Sequence, residues 1–297
     1  MTRPVAPFGQ RLRDVFDGLG HLCVGIDPHD HLLDAWGLDN SPAGLREFGL
    51  RVVDSAVGVV GIVKPQIAFF ERFGSAGYAA LEDVLTAARE SSLIVIADAK
   101  RGDIGSSVDA YGAAWLEPGS PLEADAVTLA AYTGTGSLHG VFDLASRHGK
   151  GAFVLAATSN PESLAVQSSL VAEGNRTGST VAGLVAAELD DYNRARSAGA
   201  HLVSAPVGSI GVVLGATKNL LDYGVDVHSL GESRPLLPVL APGFGHQGAT
   251  FGDARTVFGP LVASTIVSTS RAALAAGPAK LRDALSQQAS ELAGALS

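Results

Sequence analysis

Leu93-Ile94-Val95-Ile96-Ala97-Asp98-Ala99-Lys100-Arg101-Gly102-Asp103 is an apolar run that stops abruptly on charge. Near-continuous hydrophobicity over Leu93–Ala97 fits a strand buried on both faces, as in a parallel sheet. Seven further runs of this kind lie around it: Leu22–Ile26, Val59–Val63, Ala126–Leu129, Ala152–Ala156, Ile210–Leu214, Leu237–Leu240 and Val262–Val267. Between them, Ala43–Ala56, Tyr78–Glu90, Gly136–Arg147 and Thr180–Ala198 carry apolar residues at helical spacing. Ser106–Trp115 is a shorter candidate, and Pro278–Leu296 reads as a closing helix on the exterior. Eightfold strand–helix alternation predicts an α/β fold of one domain over residues 1–297, a (β/α)8 TIM barrel. A doubly wound open sheet is the alternative, because periodicity cannot show closure.

The composition narrows the class. Of 297 residues, 46% are apolar, enough for a large core, and no low-complexity linker or 20–50-residue repeat divides the chain. A formal net charge of −9 argues against a general nucleic-acid or anionic-membrane surface, but not against a phosphorylated substrate held by local donors. The sole cysteine, Cys23, excludes an intrachain disulfide and, within His21-Leu22-Cys23-Val24-Gly25-Ile26, reads as an inert core thiol. The N-terminus has no charged-then-apolar leader pattern, and no run approaches the roughly 18 apolar residues of a membrane span. A soluble cytoplasmic protein is expected.

In a barrel, chemistry gathers where strands end on the C-terminal face. A side-chain period of two puts Asp98 and Lys100 on one side of the third strand if the chain stays extended, with Asp103 in the turn beyond. Lys64 ends the neighbouring run and Asp27 the one beyond it. Taken singly, each could be a solvated strand-end charge or half of a structural ion pair. Together, alternating carboxylates and ammonium groups on adjacent strand ends form an array that can shift pKa values and stabilise developing charge. Two loops fall on the same face: the long polar segment Ser159–Ser179 and the glycine-rich Ala241-Pro242-Gly243-Phe244-Gly245-His246-Gln247-Gly248. His246 reads as solvent-exposed.

Asp98-Ala99-Lys100-Arg101-Gly102-Asp103-Ile104 resembles the signature of the orotidine 5′-phosphate decarboxylase family, and the likeness extends through most of the chain. Gly25-Ile26-Asp27-Pro28, Val63-Lys64-Pro65-Gln66, the loop Ala241–Gly248 and Val267-Ser268-Thr269-Ser270-Arg271 are similar to further segments of that family. Thr158-Ser159-Asn160-Pro161 resembles its longer-chain, mainly bacterial branch, whereas Ala130-Ala131-Tyr132 and Ser270 depart from the more widespread pattern.

The resemblance implies a cofactor-free lyase that converts orotidine 5′-monophosphate to UMP and CO2, the last step of de novo UMP synthesis. It assigns catalysis to Lys100, Asp98, Lys64 and Asp103, with Lys100 protonating C6. Asp27 would contact ribose, Ser159 the pyrimidine, and Gln247, Arg271, Gly243 and Gly245 the phosphate. It further implies a homodimer in which Asp103 reaches the partner's site, and no metal. Magnesium-dependent sugar-phosphate decarboxylases and hexulose-phosphate synthases share Asp-x-Lys-x-x-Asp; Lys64-Pro65-Gln66 and Thr158–Pro161 favour the pyrimidine enzyme. A noncatalytic nucleotide-binding barrel is a further alternative, though binding alone would not need four such charges. No phosphoribosyltransferase-like second domain is expected.

Overall fold

The computed structural model describes residues 6–198 and 205–297, without the side chain of Ala198 at the end of one predicted helix. Among these, eight parallel strands close into a barrel in sequence order. They are β1 (Leu22–Ile26), β2 (Ile62–Pro65), β3 (Ile94–Arg101), β4 (Ala126–Leu129), β5 (Gly151–Ala157), β6 (Ile210–Leu214), β7 (Val239–Ala241) and β8 (Thr265–Thr269). β8 pairs back onto β1, with Cys23 opposite Ser268. That closure decides between the barrel and the open sheet. No described helix is long and apolar enough to cross a membrane.

Strand alternation sorts the core into two layers. Val24, Val63, Val95, Val127, Val154 and Val212 point outward and pack beneath the surrounding helices. Ile62, Ile94, Ile96, Phe153, Val213 and Ile266 point inward and form a second cluster inside the barrel. The same parity carries Lys64, Asp98, Thr128 and Ser268 inward, each two residues beyond an inward apolar side chain. The polar end of the barrel interior is thus a continuation of its apolar column.

The helices Pro42–Ala56, Gly74–Glu90, Gly105–Leu116, Val181–Ala198 and Leu281–Leu296 fall close to the predicted segments. Gly136–Arg147 instead divides into a 3-10 turn, Thr135–Leu138, and the helix His139–Arg147. Two strand starts move by three residues. Val59 and Val60 donate to the carbonyl of Ala56 and finish the preceding helix, so β2 starts later and Lys64 lies within it. Val262 belongs to a 3-10 helix, Gly259–Ser264, which delays β8 to Thr265.

One further helix, Phe8–Leu19, precedes the first strand. Phe8, Leu12 and Phe16 recur every four residues, share one face and insert into the inward cluster, where Phe8 meets Phe153 edge-on at 5.9 Å. Arg11 fastens this helix to the barrel floor through Asp125, at 2.6 Å. Asp125 also accepts the Val95 amide at 2.9 Å, while the buried Lys150 pairs with Glu123 at 2.8 Å. The N-terminal end of the barrel is closed by apolar packing and tied by charge.

Candidate active site at the C-terminal mouth of the barrel

The opposite end opens into a cavity of about 610 Å³, within the range of small-molecule sites. Its floor is a line of charge. Lys64 Nζ donates to Asp98 Oδ2 at 2.8 Å, and Lys100 Nζ donates to Asp98 Oδ1 at 2.7 Å. Lys64 and Asp98 are buried, whereas the Lys100 side chain is 44% exposed toward the mouth. Burial alone would raise the pKa of Asp98, but the adjacent Lys64 and Lys100 overcome it and hold the carboxyl well below its ordinary value. Burial likewise opposes charge on Lys64, and Asp98 and Asp27 more than restore it, so its pKa lies above the usual lysine value. Asp98 and Lys64 are therefore both ionised.

The sequence expected Asp98 and Lys100 to share a side through an extended chain, and the contact arises differently. Lys100 has φ 49°, a left-handed conformation rare outside glycine that costs about 1–2 kcal/mol. Pairing with β4 slips at the same place: Ala97 faces Val127, yet Arg101 already faces Leu129. Three β3 residues thus stand against Thr128 alone. The displaced Lys100 amide donates to Thr128 Oγ1 at 3.0 Å, and that hydroxyl donates to Asp98 Oδ1 at 2.9 Å. Gln66, just after β2, lies 2.7 Å from the Asp98 carbonyl and 3.2 Å from Lys100 Nζ, and with its amide turned to match these partners it donates to the first and accepts from the second. Thr128 did not stand out in the sequence, and Gln66 entered only as the last residue of Val63-Lys64-Pro65-Gln66, with no role of its own. For Thr128 the available signal was a lone hydroxyl in an apolar strand at inward parity.

Asp27 follows β1 at the cavity edge. Its Oδ2 accepts from Ser270, while its buried Oδ1 has no partner and remains free to accept a hydrogen bond. Arg271, after the adjacent β8, lines the cavity, and its guanidinium makes no hydrogen bond or ion pair among the described residues. Gly243 and Gln247 line the cavity beside it, as does His246, whose exposure agrees with the sequence reading. Gly243 and Gly245 have φ 115° and 73°, so this loop needs residues without a Cβ. Gly245 is exposed in the loop and does not line the cavity. His29 also faces the cavity; burial lowers its pKa, with Arg271 adding to the effect against Asp27.

Ser159 lines the wall opposite. Its long loop contains a short helix, Ser163–Gln167, that bends back on the strand end. Gln167 accepts the Thr158 amide at 2.9 Å, and Ser163 donates to the Thr158 carbonyl at 3.1 Å. Asp103 is not brought into this cluster. It accepts the Ile104 amide at 2.8 Å, and its carbonyl accepts from Thr133 at 3.4 Å; the adjacent residues in each segment, Ile104 and Tyr132, are 61% and 95% exposed. Cys23 is buried, and burial pushes its thiol pKa up to about 12. Among the described residues, no group of three His, Cys, Asp or Glu side chains is placed to hold a metal ion.

Closed parallel architecture with ionised groups on neighbouring strand ends defines a (β/α)8-barrel enzyme whose working face is this mouth. Residues 20–281 match the orotidine 5′-phosphate decarboxylase / HUMPS family, and the chain belongs to it. It is 45% identical to the orotidine 5′-phosphate decarboxylase of Corynebacterium efficiens, covering 97% of each chain. Identity to that of Salinispora tropica is 48%, with 91% of each covered. A crystal structure of a candidate orotidine 5′-phosphate decarboxylase from Streptomyces avermitilis superposes with a TM-score of 0.86 at 42% identity, covering 99% of this chain and 97% of that one.

Proposed function

We propose that this protein converts orotidine 5′-monophosphate to UMP and CO2. The observation carrying the reading is the Lys64–Asp98–Lys100 line, joined at 2.8 and 2.7 Å on the cavity floor, in a chain whose relatives are named for that activity. Loss of CO2 breaks the bond between C6 and the carboxylate and leaves its electron pair in an sp2 orbital at C6, where no π system accepts it. The barrier is electrostatic, and a fixed ammonium at C6 lowers it. Lys100 Nζ stabilises the carbanion and then transfers a proton to C6, becoming a neutral amine that regains its proton from solvent. Asp98 faces the departing carboxylate. Their repulsion ends as CO2 leaves while attraction to Lys100 persists, so stabilisation is greater in the transition state than in the bound substrate. Lys64 keeps Asp98 ionised at its buried position.

The remaining groups place the substrate. Arg271 supplies a planar, permanently charged fork for phosphate, with Gln247 and the backbone around Gly243 and Gly245 beside it. Asp27 Oδ1 accepts from a ribose hydroxyl, and Ser159 contacts the pyrimidine. Phosphate is remote from C6, so its binding energy serves to organise the mouth. Asp103, turned from its own cavity beside exposed Ile104 and Tyr132, fits a twofold cytoplasmic homodimer in which it completes the partner's array. This chemistry uses no metal or organic cofactor.

The test is ultraviolet-monitored turnover of orotidine 5′-monophosphate by metal-stripped protein, with Lys100→Ala in parallel. Chelator-insensitive conversion to UMP that vanishes in the variant is expected. Folded wild-type protein that binds UMP without turning over substrate would sink the reading.

A further inference from the structure

We infer that Thr128 is a positioning residue, its hydroxyl holding Asp98 and the left-handed backbone of Lys100 in fixed relation. The inference rests on the decarboxylase reading for its kinetic consequence and on geometry for its substance. A threonine hydroxyl has one proton to donate and lone pairs to accept. Here both capacities are spent on the array: Oγ1 accepts from the Lys100 amide at 3.0 Å and donates to Asp98 Oδ1 at 2.9 Å. Thr128 is 1% exposed, so both bonds are shielded from bulk solvent.

The register slip explains why a side chain is needed. Between Ala97–Val127 and Arg101–Leu129, β3 has three residues against one in β4, so no β4 residue is registered opposite Lys100 to receive its amide. Thr128 Oγ1 takes that place. Its proton then goes to the same carboxylate oxygen that receives Lys100 Nζ at 2.7 Å. Backbone amide, hydroxyl and carboxylate form a polarised chain in which each bond strengthens the next. Shifting the backbone at Lys100 therefore moves the ammonium and its counter-ion together. Substrate binding draws mainly on Arg271, Asp27 and the loops, which Thr128 does not hydrogen-bond, so its effect falls on the chemical step.

Thr128→Val removes the hydroxyl at nearly constant shape, and Thr128→Ser retains it without the methyl group. The valine variant is expected to lose about ten- to hundredfold in kcat, with KM and UMP affinity within about threefold of wild type. The serine variant should recover to within about threefold. Wild-type kcat in Thr128→Val, or equal impairment of valine and serine, would overturn the inference. A crystal structure of Thr128→Ala reads the geometry independently of turnover. Displacement of Lys100 from the left-handed region, or of Nζ from Asp98, is expected; both unchanged would overturn the positioning role. Absence of wild-type turnover would instead strike the decarboxylase reading, leaving that structure to decide on Thr128.

Discussion

Asp98 and Lys100 meet at 2.7 Å across a backbone that turns left-handed at Lys100 itself. A relaxed strand would place the two side chains side by side along β3; here the strand bulges at the lysine, and the ammonium reaches back to its neighbour. Strain of this kind persists only where surrounding contacts hold it, and those contacts come from β2 and β4.

Removing either partner should abolish chemistry while sparing nucleotide binding. Lys100→Ala is expected to lower kcat by roughly a thousandfold or more, since it deletes both the proton donor and the stabilising charge. UMP affinity, measured by calorimetry, should change far less. Comparable losses in affinity and kcat would place Lys100 in binding instead.

Arg271→Ala should weaken UMP binding by about ten- to hundredfold, the range for losing a charged hydrogen bond. A nucleoside lacking the phosphate should bind the variant and wild type alike. Equal weakening toward the nucleoside would separate Arg271 from the phosphate.

Complementation tests the composite site. Lys100→Ala and Asp103→Ala proteins, each inactive, are unfolded together and refolded as a mixture. Half the dimers are then hybrids and half of their sites intact, so about a quarter of wild-type activity should return if Asp103 serves its partner. Recovery near zero would indicate that Asp103 works within its own chain or that the two chains do not exchange.

The buried pair dictates the pH limits of stability. Asp98 is held below its ordinary value of 3.8, so the native state resists a proton that the unfolded chain takes up. Its contribution is full above that value and is lost as pH falls below it. Lys64 is shifted upward from 10.5, so its contribution is full below that value and lost only in stronger base. Urea unfolding of wild type should lose more stability between pH 5 and 2 than Asp98→Asn does. At neutral pH the variant should be less stable by about 3–5 kcal/mol, because Lys64 is left buried and unpaired. Parallel pH curves would refute the linkage.

Phe8→Ala should cost about 3–5 kcal/mol in stability by emptying part of the inward core. Turnover by the variant, assayed well below its melting temperature, should remain near wild type because the mouth lies at the other end. Unchanged stability would mean that the N-terminal helix is an accessory.

The sequence made the barrel legible because buried parallel strands carry apolar residues on both faces, and Asp98 could be placed by strand parity and Lys64 by its position at the end of an apolar run. Closure could not be read, since it depends on β8 meeting β1. The helix Phe8–Leu19 left a visible trace in the spacing of Phe8, Leu12 and Phe16, but its burial depends on the cavity it fills. Val59 and Val262 look like strand residues because an apolar turn and an apolar strand have the same composition. Lys100's conformation was least accessible of all: it follows from how β3 registers on β4. Thr128 became visible only when that register brought it to Asp98, and Gln66's contact with Asp98 only through the pairing on the β2 side.

With Phe8, Leu12 and Phe16 stoppering one end, the described residues form a well whose doorway is the mouth. Incoming nucleotide, outgoing nucleotide and released gas all share that doorway. Whatever covers the mouth during reaction thus controls traffic in both directions, and CO2 formed at the floor must pass the bound product or wait behind it.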